Sequence, residues 1–286
     1  MPSHNLSHIK VDDIELLGYS VAGEETVIGI PQLSVCFDIG KAPEQIISIS
    51  NLLLTHGHID HASGIAYYLS HRKFSGQSAG TVLAPANLQE PITEILDVWG
   101  RLDGNKIPFN FVPMSAGDEY EVKPNLFARA FATRHSRGSL GFTIIEKKKK
   151  LKEEYFGLAS TQIVALKKKG TTIDYTVETP IVTYLGDTRY SDFAKFDFIA
   201  KSKILIAECT FVIDEHIERA LAGAHMHVDE FVKLAKELDN EHIIITHLSQ
   251  RTHIGQAKKI LREKLGKELY SKVLMLMDRK YREFGT

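Results

Sequence analysis

Short apolar runs separated by Gly, Pro and polar residues make up most of this 286-residue chain. Apolar or alternating runs predict β-strands, and apolar residues three or four positions apart predict helices. Strands are expected at residues 14–19, 26–30, 33–38, 47–55, 81–84, 109–112, 126–133, 142–145, 181–185, 204–207 and 243–246. Helices are expected at residues 64–73, 88–99, 229–238 and 257–265.

Four of the predicted strands end on a residue that can bind a metal. These endings are Thr55-His56, Thr133-Arg134-His135, Gly186-Asp187 and Thr246-His247. One such residue alone is usually a solvated turn residue. Four of them together favour a site built along one edge of a sheet, where rigid strands hold the ligands and loops form the rim.

The densest group of candidate ligands is the run Thr-His-Gly-His-Ile-Asp-His at residues 55–61. His56 and His58 are two positions apart, so on an extended segment their rings face the same side. Asp60 and His61 follow as the chain enters a helix-like stretch, which suits a second ion. Imidazole and carboxylate are ligands that zinc prefers. A polar loop with chance histidines is the alternative that this density disfavours.

Composition narrows the function classes only slightly. The 43% hydrophobic content supports a sizeable core, and the net charge of −1 gives no overall attraction to nucleic acid. No stretch reaches the ~18 apolar residues of a membrane span, and the first residues lack a secretion-signal pattern. Cys36 and Cys209 each lie in an apolar run, so we expect reduced, buried thiols and a cytoplasmic protein.

With these motifs in hand, the chain resembles the metallo-β-lactamase superfamily. The resemblance implies an α/β fold, a four-layer αβ/βα sandwich, as a single domain over residues 1–286. It implies two divalent metal ions, zinc in the first place and manganese as the alternative. The implied ligands are His56, His58 and His135 for one ion, Asp60, His61 and His247 for the other, and Asp187 as the bridge. Asp38 is expected to hydrogen-bond the histidine loop without touching metal.

Within that superfamily the chain is more similar to ribonuclease Z, the tRNA 3′-processing endonuclease, in its short plant-type form. Four segments carry this likeness: Glu208-Cys209-Thr210-Phe211, Gly223-Ala224-His225-Met226-His227, Thr246-His247-Leu248-Ser249-Gln250-Arg251, and the insert that contains Lys152–Leu158. Two departures stand near the expected RNA-binding rim. Thr252 replaces a usual tyrosine, and Gly138 replaces a frequent proline.

The resemblance also implies roles for individual residues. His225, supported by Glu208, would protonate the leaving 3′-oxygen of a precursor tRNA, since a carboxylate beside an imidazole raises its pKa. Asp60 would orient or deprotonate the attacking water in addition to binding metal. Ser249 and Arg251 are candidates for holding a substrate phosphate, since Arg is a planar bidentate donor; a structural salt bridge is the alternative for Arg251.

A lysine-rich insert spans residues 146–180. Between residues 146 and 170 there are eight lysines against three glutamates. Such a run is often only a solvated face. The functional alternative is a protruding arm that binds RNA phosphates through Lys147, Lys148, Lys149, Lys150 and Lys152. In the family such an arm serves the active site of the other subunit, so the resemblance implies a homodimer.

Two other functions compete with the ribonuclease. A small-molecule hydrolase of the same fold, such as a cyclic-nucleotide phosphodiesterase or a lactone or thioester hydrolase, would use the same metal site. It would need neither the Glu208/His225 pair nor the insert. A metal-dependent RNA-binding protein with a degenerate site would have lost at least one ligand. We expect His227 to cap a helix or line the rim; the histidines read as ordinary polar or packing residues are His4, His8, His71, His216, His242 and His253.

Overall fold

The computed structural model describes residues 6–281, so His4 lies outside the described residues. The strands within this range are β1 Ser7–Val11, β2 Ile14–Val21, β3 Glu25–Ile30, β4 Val35–Phe37, β5 Asn51–Leu53, β6 Gly80–Pro85, β7 Phe109–Met114, β8 Glu119–Lys123, β9 Leu126–Ala132, β10 Leu140–Leu151, β11 Asp174–Tyr184, β12 Ile204–Glu208, β13 His242–Thr246 and β14 Val273–Met275. The α-helices are α1 Ile59–Ala62, α2 Ile65–Phe74, α3 Gln89–Asp103, α4 Ser160–Lys168, α5 Asp197–Ala200, α6 Ile217–Gly223, α7 Val228–Glu237 and α8 Ile254–Ser271.

Across residues 6–281 these strands form two seven-stranded sheets with the same internal plan. The first has the order β1-β2-β3-β4-β5-β6-β7 and the second β14-β13-β12-β11-β10-β9-β8. In the first sheet, β1 to β4 pair antiparallel and β4 to β7 pair parallel. In the second, β8 to β11 pair antiparallel and β11 to β14 pair parallel. Parallel neighbours need crossover connections, which explains why helices cover the parallel halves.

Three apolar clusters define four layers. One contains side chains from both sheets, including Phe37, Phe142 and Tyr184, and fills the space between them. A second packs the first sheet against α2 and α3, and a third packs the second sheet against α5, α7 and α8. The order of layers is therefore helix, sheet, sheet, helix, and the four-layer α/β sandwich predicted from the sequence is confirmed.

The lysine-rich insert is an extension of two core strands. β10 and β11 pair along their whole length, from Phe142 opposite Tyr184 to Leu151 opposite Asp174. The register shifts between Ile144 and Ile145, opposite Pro180, and such bulges bend a strand pair where it leaves a sheet. Beyond the pair, α4 has no buried residue. The insert is thus a hairpin with a short helix that projects from the core.

Some predicted boundaries were wrong, and the causes are side-chain hydrogen bonds. The strand predicted at residues 47–55 covers only Asn51–Leu53. The carbonyls of Ile47 and Ile49 are instead bound by the Arg72 guanidinium, and the Ile49 carbonyl also by the Tyr68 hydroxyl. The apolar run before β5 is therefore buried without pairing as a strand. β1, β8 and β14 were not predicted, and neither were α4 and α6.

Within residues 6–281, every helix is too short or too polar to cross a lipid bilayer.

Candidate metal centre

The seven predicted metal ligands follow the carboxyl ends of one strand of the first sheet and three alternate strands of the second. His56 and His58 follow β5, while Asp60 and His61 lie in the first turn of α1. The other three follow β9, β11 and β13: His135, Asp187 and His247. Because the two sheets present these ends at the same edge, ligands up to 191 residues apart (His56 and His247) come together in one cluster.

A buried carboxylate holds the histidine loop in place. Asp38 is fully buried and follows β4 with a left-handed φ of 52°. It accepts hydrogen bonds from the Thr55 amide and hydroxyl (2.8 and 2.9 Å), from Nδ1 of His61 (2.8 Å) and from the Tyr184 hydroxyl (2.9 Å). These donors come from both sheets. Asp38 therefore orients the histidine loop through hydrogen bonds without itself being a ligand, as the sequence predicts.

The hydrogen-bond network fixes the tautomers of the two histidines at one side of the cluster. His61 donates from Nδ1 to the Asp38 carboxylate, so its Nε2 carries a lone pair. Nδ1 of His247 lies 3.0 Å from the Thr210 hydroxyl, which donates its own proton to Glu208, so His247 must be the donor. The two Nε2 atoms nevertheless face each other at 3.4 Å. In their neutral forms neither has a proton to give the other.

The hydrogen-bond partners of the other three histidines are considered in the same way. Nδ1 of His56 donates to Thr55, whose hydroxyl is engaged with Asp38, and Nδ1 of His135 donates to the Ala224 carbonyl at 3.2 Å. Nε2 of His56 is buried without a hydrogen-bond partner. Nε2 of His135 faces Nδ1 of His58 at 3.0 Å. His56 and His135 therefore turn lone pairs inward and, with Nδ1 of His58, form a second set of candidate ligand atoms.

Asp187 stands between the two sets. Its Oδ2 atom lies 3.1 Å from Nε2 of His61 and 3.3 Å from Nε2 of His247. It also lies 3.9 Å from Nε2 of His56 and 3.8 Å from Nε2 of His135. Burial works against the charged carboxylate, but the surrounding imidazoles hold the pKa of Asp187 well below its usual range. A charged oxygen within reach of both sets is placed to bridge two cations.

Asp60 completes the second set. Its Oδ2 atom lies 3.5 Å from Nε2 of His247 and 3.8 Å from Nε2 of His61, and it accepts a hydrogen bond from the Gly23 amide at 2.8 Å. Partial burial raises the pKa of Asp60, yet the His247 and His61 imidazoles outweigh it and the net pKa is lowered. Asp60 is thus an anionic group that a hydrogen bond from the β2–β3 turn holds facing the cluster.

These distances fit metal coordination. The ligand atoms of His56, His58 and His135 all lie within 4.8 Å of one another, as do those of Asp60, His61 and His247. Tetrahedral zinc holds nitrogens about 2.0 Å away and therefore about 3.3 Å from one another. Inward lone pairs and carboxylates at such spacings repel unless a cation lies among them. The donor set therefore suits divalent ions.

The backbone at the cluster is held in conformations that disfavour substitution. Gly186, just before Asp187, has a φ of 63°, and a Cβ there would lie 2.9 Å from the Thr55 side chain. His247 itself has a φ of 57°. Left-handed non-glycine residues cost about 1–3 kcal/mol and gather at functional sites. The left-handed conformation of His247 directs its side chain toward Asp187, and the fold therefore retains this strain.

His225 and Glu208 form a second pair beside the cluster. Nδ1 of His225 lies 3.1 Å from Oε1 of Glu208 and 3.9 Å from Oδ2 of Asp187. Glu208 is buried and also accepts hydrogen bonds from the Thr188 amide, the Met226 amide and the Thr210 hydroxyl. Burial opposes protonation of His225, but the Glu208 carboxylate raises its pKa to about 9. His225 is thus a protonated imidazole next to the candidate ligands.

A cleft of about 360 Å³ opens above the cluster. Candidate metal ligands line it together with His225, Phe211, Ser249 and Arg251. Arg219, on α6, also lines this cleft and was not singled out in the sequence. The one feature of the sequence that points to Arg219 is its position, six residues before His225 on the same segment. The cleft therefore offers two arginines near the candidate ligands.

The remaining predicted positions are placed as follows. His227 caps α7, with its side chain accepting from the Asp229 amide at 3.4 Å, so the expected capping role is confirmed. Thr252 is buried, so the expectation that it borders the RNA at the rim was wrong. Gly138 has a φ of 77°, and a Cβ there would meet the Asn87 side chain. Proline is excluded at Gly138 because its φ is fixed near −65°.

The five lysines predicted to bind RNA are not equivalent. Lys147 is bound by Glu119 at 2.6 Å and Glu178 at 3.1 Å, and Arg129 shares both carboxylates. Lys148 pairs with Glu146 at 2.7 Å. The ammonium groups of the other three form no hydrogen bond or ion pair within residues 6–281; they are Lys149, Lys150 and Lys152.

The chain is similar to known proteins over most of its length. Residues 32–248 match the family model for the β-lactamase superfamily domain. The chain is 34% identical over 247 residues to the tRNase Z TRZ1 of Arabidopsis thaliana, which covers 85% of this chain and 88% of the relative. It is 29% identical over 278 residues to the chloroplastic tRNase Z TRZ2 of the same plant, which covers 96% of this chain and 78% of the relative.

Solved structures support the fold. The metallo-β-lactamase fold protein YhfI from Bacillus subtilis superposes with a TM-score of 0.58 at 16% identity, covering 92% of this chain and 87% of that one. The short form of human tRNase Z superposes with a TM-score of 0.54 at 17% identity, covering 92% of this chain and 88% of that one. The sequence matches, the fold and the ligand cluster lead to one conclusion: the chain belongs to the β-lactamase superfamily and, within it, to the ribonuclease Z group.

Proposed function

We propose that this chain is a metal-dependent endoribonuclease that removes the 3′ trailer of precursor tRNA. Two relatives that are 34% and 29% identical over most of the chain are named tRNase Z. The observation that carries the proposal is the His225–Glu208 pair beside the ligand cluster. Hydrolysis of a small activated ester does not require a buried, carboxylate-supported acid, whereas the 3′-oxygen leaving from RNA does.

The ligand cluster is proposed to hold two divalent ions, zinc in the first place and manganese as the alternative. When bound, such ions lower the pKa of water and neutralise charge that develops on a phosphate. His56, His58 and His135 would hold one ion, Asp60, His61 and His247 the other, and Asp187 both. Asp38 supports the set through His61 and Thr55.

The other side chains supply proton transfer and positioning. Asp60, held by the Gly23 amide through Oδ2, orients or deprotonates the attacking water in addition to binding metal. His225 donates its proton to the leaving 3′-oxygen, and Glu208 stabilises the protonated imidazole. Ser249 and Arg251 line the same cleft as His225 and are proposed to bind a substrate phosphate.

The projecting hairpin, residues 146–180, is proposed to bind the body of the tRNA. Lys149, Lys150 and Lys152 carry this role because their ammonium groups have no partner within residues 6–281. Lys148 is largely exposed and adds to them, although it pairs with Glu146. Lys147 braces the base of the arm through Glu119 and Glu178. Each phosphate contact would add close to one unit to the slope of affinity against salt for a duplex-like substrate.

We further propose a homodimer in the cytoplasm. α2 and α3 expose large apolar side chains that a soluble surface rarely leaves uncovered; they are Tyr67, Phe74, Val98, Trp99 and Leu102. A second copy of the chain is the proposed partner for this face, because the family likeness implies that one subunit's arm serves the other's active site. The two thiols, Cys36 and Cys209, are free and buried, which suits a reducing compartment.

The test is a digest of a 3′-extended precursor tRNA and of bis-p-nitrophenyl phosphate by the purified protein with Zn²⁺ or Mn²⁺. Endonucleolytic removal of the trailer, together with its loss in His225→Ala while RNA binding is retained, is the expected result. Equal losses of binding and cleavage in that variant would contradict the general-acid role. Hydrolysis of the small diester without any cleavage of RNA would favour the small-molecule hydrolase.

A further inference from the structure

Arg219 lines the cleft above the ligand cluster and has no ionic partner. Its guanidinium group forms no hydrogen bond or ion pair with any residue between 6 and 281. Acidic side chains are close in sequence: Glu215 lies one helical turn earlier and Glu218 is adjacent, yet neither is paired with it. An arginine that lines a cleft and forms no ion pair with these nearby carboxylates is available to bind a ligand.

The segment that carries Arg219 is fixed to the cleavage machinery. α6 ends at Gly223, and the amide of His225 donates to the Ala220 carbonyl at 2.9 Å. The Ala224 carbonyl in turn accepts from Nδ1 of His135 at 3.2 Å. Arg219, His225 and the ligand His135 therefore belong to one hydrogen-bonded unit. Arg219 and His225 thus line the same cleft from one short segment of chain.

We propose that Arg219 binds the RNA phosphate immediately 5′ of the scissile phosphate; this inference rests on the proposed ribonuclease function. His225 protonates the 3′-oxygen of the nucleotide on the 5′ side of the cut. The 5′-phosphate of that nucleotide is the next anion along the chain on this side. A guanidinium group binds a phosphate with two parallel N–H donors, which gives both affinity and a fixed orientation.

This contact distinguishes an RNA chain from a small diester. Bis-p-nitrophenyl phosphate has one phosphate and offers nothing for Arg219 to bind. Arg219 is therefore a specificity-determining residue that favours polynucleotides over small diesters within the same metal-dependent chemistry. A hydrogen bond to a charged group contributes enough to change kcat/KM by about 10- to 100-fold.

The experiment is a double-substitution cycle on intact precursor tRNA. One substrate carries a neutral methylphosphonate in place of the phosphate 5′ of the scissile one, and its partner is unmodified. Wild type, Arg219→Ala and Arg219→Lys are assayed on both and on bis-p-nitrophenyl phosphate. Arg262→Ala, which removes another exposed arginine from α8, is the matched control. Melting temperature and metal content are measured for every variant.

In wild type the methylphosphonate is expected to lower kcat/KM about tenfold or more, and in Arg219→Ala it should lower it less than twofold. The ratio of tRNA cleavage to small-diester hydrolysis should fall about tenfold in Arg219→Ala and by less in Arg219→Lys, which keeps the charge but loses the planar donor pair. Arg262→Ala should behave as wild type. If Arg219→Ala fails to fold, the Arg219→Lys cycle carries the same comparison with a smaller expected effect.

A methylphosphonate penalty that is undiminished in Arg219→Ala and Arg219→Lys, or equal losses on tRNA and on the small diester, would overturn the role of Arg219 alone. A wild-type protein that hydrolyses the small diester and leaves precursor tRNA intact would instead overturn the proposed function, and this inference with it.

Discussion

The Glu208 carboxylate lies 3.1 Å from Nδ1 of His225 and is satisfied by three further donors. Glu208 therefore has no freedom to turn away when His225 changes its protonation state. The negative charge stays fixed beside the imidazole, and the pKa of His225 is accordingly raised to about 9 against the opposing effect of burial.

This relationship predicts a histidine that titrates above neutrality in the metal-free protein. Because the folded pKa is raised, the stability from the pair is fully present below the ordinary histidine pKa and is lost as the pH rises through about 9. Glu208→Gln should lower the pKa of His225, and added Zn²⁺ should lower it in the otherwise unaltered protein by repulsion. NMR titration of labelled histidine measures this, with His225→Ala assigning the resonance. A resonance that titrates at the ordinary histidine pKa in metal-free protein would contradict the pairing.

Removal of metal should destabilise the fold. Inward lone pairs on four histidines and the charges of Asp60 and Asp187 are left facing one another when no cation is present. A ligand at 1,000 times its Kd stabilises by about 4 kcal/mol, so chelation should lower the melting temperature by several degrees. Calorimetry with elemental analysis tests this, and re-addition of Zn²⁺ should restore both values. Unchanged melting after complete metal loss would count against the cation site.

Gly186→Ala should weaken metal binding more than its backbone strain alone explains. The added Cβ lies 2.9 Å from Thr55, which supports both Asp38 and His56. Gly76→Ala is the matched control, because Gly76 has a similar φ of 69° with nothing within 4 Å of the added atom. Both variants should lose about 1 kcal/mol of stability from the left-handed backbone. Only Gly186→Ala should reduce bound metal, measured by elemental analysis. Equal metal loss in both variants would show that strain alone explains it.

The arm lysines should separate into two classes. Replacing Lys149, Lys150 and Lys152 with Ala should weaken tRNA binding by about tenfold or more and reduce its salt dependence, since each phosphate contact releases counterions. Lys147→Ala should instead lower stability by about 1 kcal/mol or less, because its partly exposed ion pairs with Glu119 and Glu178 are screened by solvent. Binding isotherms at several salt concentrations and thermal melts measure the two effects. A triple variant that binds tRNA normally would remove the arm from the proposal.

The sequence predicted the ligand cluster well because its residues mark the ends of apolar strands, and local pattern and chemistry agree there. His56 and Asp187 could be singled out for this reason. Arg219 could not, because α6 carries no motif and its importance depends on which cleft it lines. The pairing of Lys147 with Glu119, 28 residues away, depends on sheet register. The shortened β5 likewise depends on Arg72, a residue well outside any local window.

The strand β11 runs from Asp174 in the arm to Tyr184, three residues before the bridging carboxylate of Asp187. At about 3.3 Å per residue it spans roughly 35 Å. This paired strand therefore joins the arm rigidly to the sheet edge that carries the ligand cluster. In the proposed homodimer the arm of one subunit serves the active site of the other, so lengthening or shortening the hairpin by two residues should weaken tRNA cleavage and leave hydrolysis of a small diester unchanged.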